Sequence, residues 1–332
     1  SETTVKAGEG ILSVDDVYGG TQRYFRRIVA PGAGIEVEFC DFNDVDAMRK
    51  ILDGKSGDGG ESRGGGGAGI NGDGKRRSKF KLLWLETPTN PTLKVSDIRA
   101  CADLANSYGA ILCVDNTFCS PHFQNPLSLG AHIVVHSVTK YIGGHSDVVM
   151  GAACTNDDSL RDALRFVQNG VGAVPSPFDC FLAHRGLKTL HLRMEASARN
   201  AMAIALFLKG HGAVMDVAYP GLRSHPGHDL AERQQMGFGS VISFHVRGGR
   251  EASRTVLENL RVFALAESLG AVESLAECPS LMTHASVPEE KRKELGISDG
   301  LIRLSVGIES CRDLVEDLEG ALNAVLGRVQ AD

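Results

Sequence analysis

No stretch of the chain approaches the roughly 18 consecutive apolar residues that a membrane-spanning helix needs. The opening segment SETTVKAGEG has no apolar core of the kind a secretory leader carries. Phosphate-loop order, GxxxxGK[ST], is absent even from the glycine run at 64–67, and no GxGxxG follows a strand-like run, so nucleotide cofactors gain no support. CxxC pairs are missing too. The eight cysteines, at 40, 101, 113, 119, 154, 180, 278 and 311, read as reduced, mostly buried thiols of a cytosolic protein rather than as disulfides or zinc ligands. There is no excess of basic charge. The formal net charge of −6 argues against nucleic acid as a partner, although an anionic small ligand needs only a local patch. The chain also lacks an initiator methionine, and its abrupt start reads as that of a fragment or partly covered chain.

At 332 residues the chain exceeds the usual single-domain size, so two domains are expected, divided at 211/212. One segment has almost none of what a core needs. Positions 54–74 hold eleven glycines and almost no aliphatic residue, so 54–79 is expected to be a disordered surface insertion that cannot offset its ordering entropy. Its basic cluster, Lys75, Arg76, Arg77 and Lys79, reads as a solvated loop foot ahead of a nucleic-acid or sorting patch.

The rest alternates between strand-like and helix-like periods. Strands are expected at 11–14, 35–39, 81–86, 110–114, 132–136 and 148–154, and helices at 21–29 (stopping near Pro31-Gly32), 44–52, 96–108 with Ser96 as N-cap, and 156–168. One or two long helices span 177–211. Beyond 214 the strands at 214–218, 240–246 and 301–306, with helices at 250–260 and 311–328, suggest a smaller α+β unit. The loops 220–226 and 278–288 are rich in Pro, Ser and His. The alternation in the first part implies an α/β fold with a mostly parallel sheet covered on both faces.

The most informative stretch is Ala131–Asp147, AHIVVHSVTKYIGGHSD. A buried strand ends in Ser137 and Thr139, and Lys140 follows at the edge where open α/β sheets bind ligands. A second strand-like run ends in Asp115-Asn116-Thr117. An amine and an acid ending neighbouring strands suit pyridoxal phosphate (PLP) chemistry, in which a lysine carries the cofactor as a Schiff base and an aspartate holds the ring nitrogen protonated. Taken alone, Lys140 also reads as a solvent lysine and Asp115 as a turn or cap residue. His132 and His136, four apart on a strand, stand about 13 Å from each other, too far to share a metal. His145 has no second ligand at metal spacing, so no metal site is expected.

The segment SVTKYIGGHSD resembles the cofactor-lysine motif of the Cys/Met-metabolism PLP-dependent enzymes. The blocks YGGT, ETPTNP, VDNTF, RGLKTL, ESLG and IRLSVG resemble that family's, in its order, over nearly the whole chain. The resemblance implies a fold type I, aspartate aminotransferase-like architecture, with a PLP-binding large domain at 1–211 and a small domain at 212–332. It further implies homotetramers built as dimers of dimers with active sites shared between subunits.

Site roles follow by the same resemblance. Lys140 binds the cofactor and moves protons. Asp115 pairs with the ring nitrogen, Tyr18 stacks on the ring and can act as acid or base, and Thr117 lies near it. Ser137 and Thr139 bind the phosphate. Asn90 lies beside the cofactor's phenolic oxygen and the substrate carboxylate, which Arg303 clamps. Ser268 and Glu267 line the substrate side, with Glu267 toward a distal amino group. Without the resemblance, Tyr18 reads as a turn or core tyrosine and Glu267-Ser268 as a polar helix end. The family's further phosphate ligands lie upstream of YGGT, so the polypeptide as given is expected to bind cofactor weakly.

The implied reaction is carbon–sulfur bond cleavage at the γ carbon of cystathionine. The run VFALAESLGAVESLAECPSLMTHASVP is closest to eukaryotic γ-lyases, and Gly20 stands where methionine γ-lyases have cysteine. γ-Synthase and β-lyase activities are the alternatives within the family, and a catalytically silent oligomeric scaffold is the alternative outside it.

Overall fold

A computed structural model describes residues 3–54, 74–285 and 287–329. Strands β1 (Gly10–Val14), β2 (Glu36–Cys40), β3 (Phe80–Glu86), β4 (Ile111–Asp115), β5 (Ile133–Ser137) and β6 (Gly151–Cys154) form one sheet of order β2-β1-β3-β4-β5-β6. All are parallel except β6, which runs antiparallel to β5. Parallel neighbours need crossovers, and these lay helices on both faces. Side chains accordingly alternate. Leu12, Leu83, Leu112 and Val134 face the helices Val45–Leu52 and Ile98–Ser107, while Ile11, Leu82, Cys113 and Ile133 face Phe25, Val29, Leu160 and Leu164.

Strand β6 is shorter than the 148–154 expected. The helix 96–108 also begins later. Asp97, not Ser96, is the N-cap, its Oδ1 accepting from Ala100 N at 2.9 Å. Ser96 instead donates its backbone N–H to Thr87 Oγ1. The helix expected to stop near Pro31-Gly32 runs on. Gly19–Tyr24 leads through a π turn, Phe25–Val29, into Ala30–Ala33 and ends at Gly34. Proline has no N–H for the helix ladder, and the wider turn just before it accommodates that loss.

The second sheet, β7-β8-β11-β10-β9, comprises β7 (Val214–Ala218), β8 (Val241–Val246), β9 (Ala264–Leu265), β10 (Leu275–Glu277) and β11 (Leu301–Ser305). Neither β9 nor β10 was expected, nor were the helices His228–Gln234 and Glu289–Glu294. The span 177–211 divides into Pro177–Leu187 and Leu190–Gly210. From the latter, Ala201, Ile204, Ala205 and Leu208 join the second sheet's core with Val256, Leu314 and Leu318. The glycine-rich insert lies mostly outside the described residues. Among the described residues no helix is long and apolar enough to cross a membrane.

Candidate active site

Parallel strands deliver their following residues to one edge of the sheet. β1 leads to Tyr18, β3 to Glu86 and Asn90, β4 ends on Asp115, and β5 ends on Ser137 before Lys140. Opposite in register, Glu86 pairs with Asp115, and Asp115 with Val135.

Lys140 lies in a π turn, Val138–Ile142, but departs from helical geometry at φ −90° and ψ −128°. Arg193 from the helix Leu190–Gly210 fixes this turn, donating from Nη1 to Tyr141 O at 2.6 Å and from Nη2 to Gly186 O at 2.7 Å. Gly144 (φ +73°) lets that guanidinium approach, since a Cβ there would stand 2.1 Å from Arg193 Nη1. The half-buried Lys140 donates from Nζ to Ser268 Oγ at 3.0 Å. Burial, then the like charge of Arg303, lowers its pKa from 10.5, and Glu277 opposes the shift.

Asp115 Oδ1 accepts from Thr117 N at 2.9 Å, and Thr117 Oγ1 accepts from Ser137 N at 2.9 Å, tying the ends of β4 and β5 together. Burial raises the Asp115 pKa against the bonds from Thr117. The neighbouring Glu86 is raised further, by burial and then by the charge of Asp115. It accepts from Tyr18 N at 2.9 Å, so the loop that presents Tyr18 is fastened beside the acid pair. Tyr18 is half exposed, and its ring lies so close over Gly20 that a Cβ there would stand 2.4 Å from Cε1.

Arg303, on β11, is buried, and its pKa is lowered by burial against the pull of Glu277. Nη1 donates to Asn90 Oδ1 at 3.0 Å and meets Glu277 Oε1 at 2.8 Å; Nη2 donates to Glu267 O and Ser268 O, each at 3.0 Å. Asn90, Arg303, Ser268, Glu267 and Lys140 thus form one connected group spanning both sheets. The carboxylate of Glu267 is exposed, and 267–270 is loop rather than helix end. Thr139 Oγ1 is held between Met150 N (3.0 Å) and Met150 O (3.3 Å), so of the two candidate phosphate ligands Ser137 alone has a hydroxyl without a protein partner among the described residues. His136 is buried and pushed down to about 4 by burial, and His145 bonds Gly143 O at 2.7 Å. Among the described residues no cluster of metal-ligating side chains occurs.

The sequence profile described as Cys/Met metabolism PLP-dependent enzyme matches residues 73–323. The chain belongs to that family. A cystathionine gamma-lyase of Dictyostelium discoideum is 54% identical over 319 residues, covering 96% of this chain and 76% of the relative. The Homo sapiens cystathionine gamma-lyase is 50% identical over 321 residues, 96% and 73% of the two chains. A solved cystathionine gamma synthase from Xanthomonas oryzae pv. oryzae, in complex with cystathionine, superposes with a TM-score of 0.88. It is 42% identical, covering 98% of this chain and 78% of that one.

The family's cofactor is PLP, and the architecture is that of its fold type I members. The residues present fit the cofactor. Glu86 is buried and Asp115 partly so, and among the described residues no cation stands among the main groups acting on either. A protonated ring nitrogen supplies the positive charge such a pair lacks. Two acids of this neighbourhood had no role in the sequence reading. Glu86 stands within ETPTNP, and Glu277 within the run LAEC, where nothing local marks it as the partner of Arg303.

Proposed function

We propose that the protein is a PLP-dependent carbon–sulfur lyase that converts cystathionine and water to cysteine, 2-oxobutyrate and ammonia. The observation that carries this reading is the desolvated Lys140 amine, hydrogen-bonded to Ser268 within the group that holds Arg303. Lys140, Asp115, Tyr18, Thr117, Asn90 and Ser137 would hold the cofactor, with Thr139 Oγ1 turning from Met150 to join Ser137 at the phosphate. Bound there, PLP withdraws electrons from the substrate's α carbon.

The protein's own groups do the rest. Arg303 and Asn90 hold the α-carboxylate, and a planar guanidinium suits that better than an ammonium. Lys140, through its neutral form, takes the α proton, and a β proton is then lost, its electron pair leading to rupture of the bond between the γ carbon and sulfur. Asp115 keeps a proton on the ring nitrogen. The Tyr18 hydroxyl gives a proton to the departing sulfur, and Glu267 meets the distal ammonium. We read residues 1–211 as the cofactor domain and 212–332 as the small domain. We also read the protein as a cytoplasmic homotetramer whose subunits share active sites.

The second reading, a γ-synthase, is favoured by the likeness to the solved synthase. It has the lower identity, 42% against 54% for the lyase relative. Incubating the PLP-loaded protein with cystathionine separates the readings. Release of cysteine and 2-oxobutyrate supports the proposal, and homocysteine with pyruvate would make it a β-lyase. Turnover that requires cysteine and an activated homoserine ester would make it a synthase. No visible absorbance at saturating PLP would leave a scaffold.

A further inference from the structure

Glu277 lies directly opposite Arg303 across β10 and β11, and both side chains are withdrawn from solvent. A guanidinium has five N–H groups. The Nη hydrogens of Arg303 are taken by Asn90, Glu277 and the carbonyls of Glu267 and Ser268, while the buried Nε has no protein partner among the described residues. A substrate carboxylate gripped by two parallel hydrogen bonds takes either Nε with Nη2 or Nη1 with Nη2. On the second edge Nη1 already meets a carboxylate, that of Glu277 at 2.8 Å, and that is the bond a second carboxylate would exchange. Two carboxylates on one guanidinium would leave a net negative charge in a dry site, which is costly unless one is neutralised.

We propose that Glu277 is the internal counter-ion that Arg303 exchanges for the substrate α-carboxylate, and that Glu277 takes one proton from solvent as it is displaced. The proposal rests on the reading that Arg303 binds that carboxylate. No covalent bond changes apart from the O–H formed on Glu277, and the proton comes from the buffer.

The surroundings favour the uptake. Burial raises the Glu277 carboxyl to about 7, against Arg303 and the Thr283 hydroxyl, which donates to Oε1 at 3.0 Å. Glu267 adds to the rise and Lys140 opposes it. His284, beside Thr283, is pushed down to about 4 and contributes no charge near neutrality. Tyr141 and Tyr18 also act on Arg303. Loss of Arg303 as partner and arrival of a second carboxylate both push Glu277 higher. Above about pH 7, then, the free protein carries Glu277 charged and the complex carries it neutral. Below that pH it is already neutral, and binding takes up no proton there.

Glycine, which has the α-carboxylate but nothing to eliminate, is the probe. It is titrated calorimetrically into the PLP-loaded protein at pH 8, in two buffers of different ionisation enthalpy. The wild type should take up about one proton more than Glu277→Gln, and the ratio of their dissociation constants should rise about tenfold per pH unit above 7, the slope of one linked proton. A merely structural role predicts weaker binding by the variant at every pH with equal proton counts, and that result would overturn the inference. Should Glu277→Gln not load PLP, infrared difference spectra of the wild type with and without glycine decide. A protonated-carboxyl band must appear at pH 8, and its absence overturns the inference. Absence of cystathionine turnover in the wild type would instead overturn the function reading. Turnover with equal proton counts overturns this inference alone.

Discussion

A lysine amine moves protons only through its neutral fraction. Lys140 gains that fraction by being taken out of water and by sharing its surroundings with Arg303, and Glu277 holds part of the charge back. Because the pKa is lowered, the amine becomes reactive as pH rises through a midpoint below the ordinary 10.5. Capture of PLP by the apoprotein, followed by growth of visible absorbance, should show that midpoint. Lys140→Ala should show no such band and lose at least about 10²-fold in turnover, the scale of a lost acid–base group. A variant that retained both band and activity would remove Lys140 from the site. Most of this neighbourhood is legible in the sequence because its residues lie in short contiguous blocks at strand ends. Glu277 is not. Its meaning depends on the antiparallel register that sets it against Arg303, and no local pattern encodes a cross-strand partner.

At the scale of elements, the strands of the first sheet are readable because each carries an uninterrupted apolar run, and the helices because theirs recur at helical spacing. Strands β9 and β10 are too short to show any period; β10 forms because β11 offers an edge to pair with, and β9 pairs in turn with β10. Boundaries fail where two capping residues compete. Ser96 and Asp97 are both good caps by type, but the Ser96 N–H is claimed by Thr87, and it is Asp97 that receives the Ala100 N–H. Asp97→Ala should therefore cost about 0.5–2 kcal/mol in urea unfolding. Ser96→Ala should be near neutral, since its hydroxyl is buried without a partner. The reverse order would mean that the helix starts one residue earlier than described.

For the whole molecule, the connected group from Lys140 to Arg303 shows why both sheets are needed. The first supplies the amine and the acid pair, and the second supplies the guanidinium and its counter-ion. The molecule also presents apolar surface that neither sheet covers. Phe166 is 80% exposed and Val171 is exposed on the helix Asp158–Val171, Val174 is exposed in the connection that follows, and Phe178 and Phe181 are exposed on the helix Pro177–Leu187. Phe178 and Phe181 stack with ring centroids 6.5 Å apart. An exposed stacked aromatic pair of this kind suits a surface that another protein covers, and the proposed homotetramer would assign that cover to a second copy of the chain. Replacing both Phe178 and Phe181 with Asp would place two charges on that surface, where burial against a partner is costly. Sedimentation velocity should then show a smaller species than the wild type, with an unchanged far-ultraviolet spectrum. Equal sedimentation of a folded double variant would put the subunit interface elsewhere.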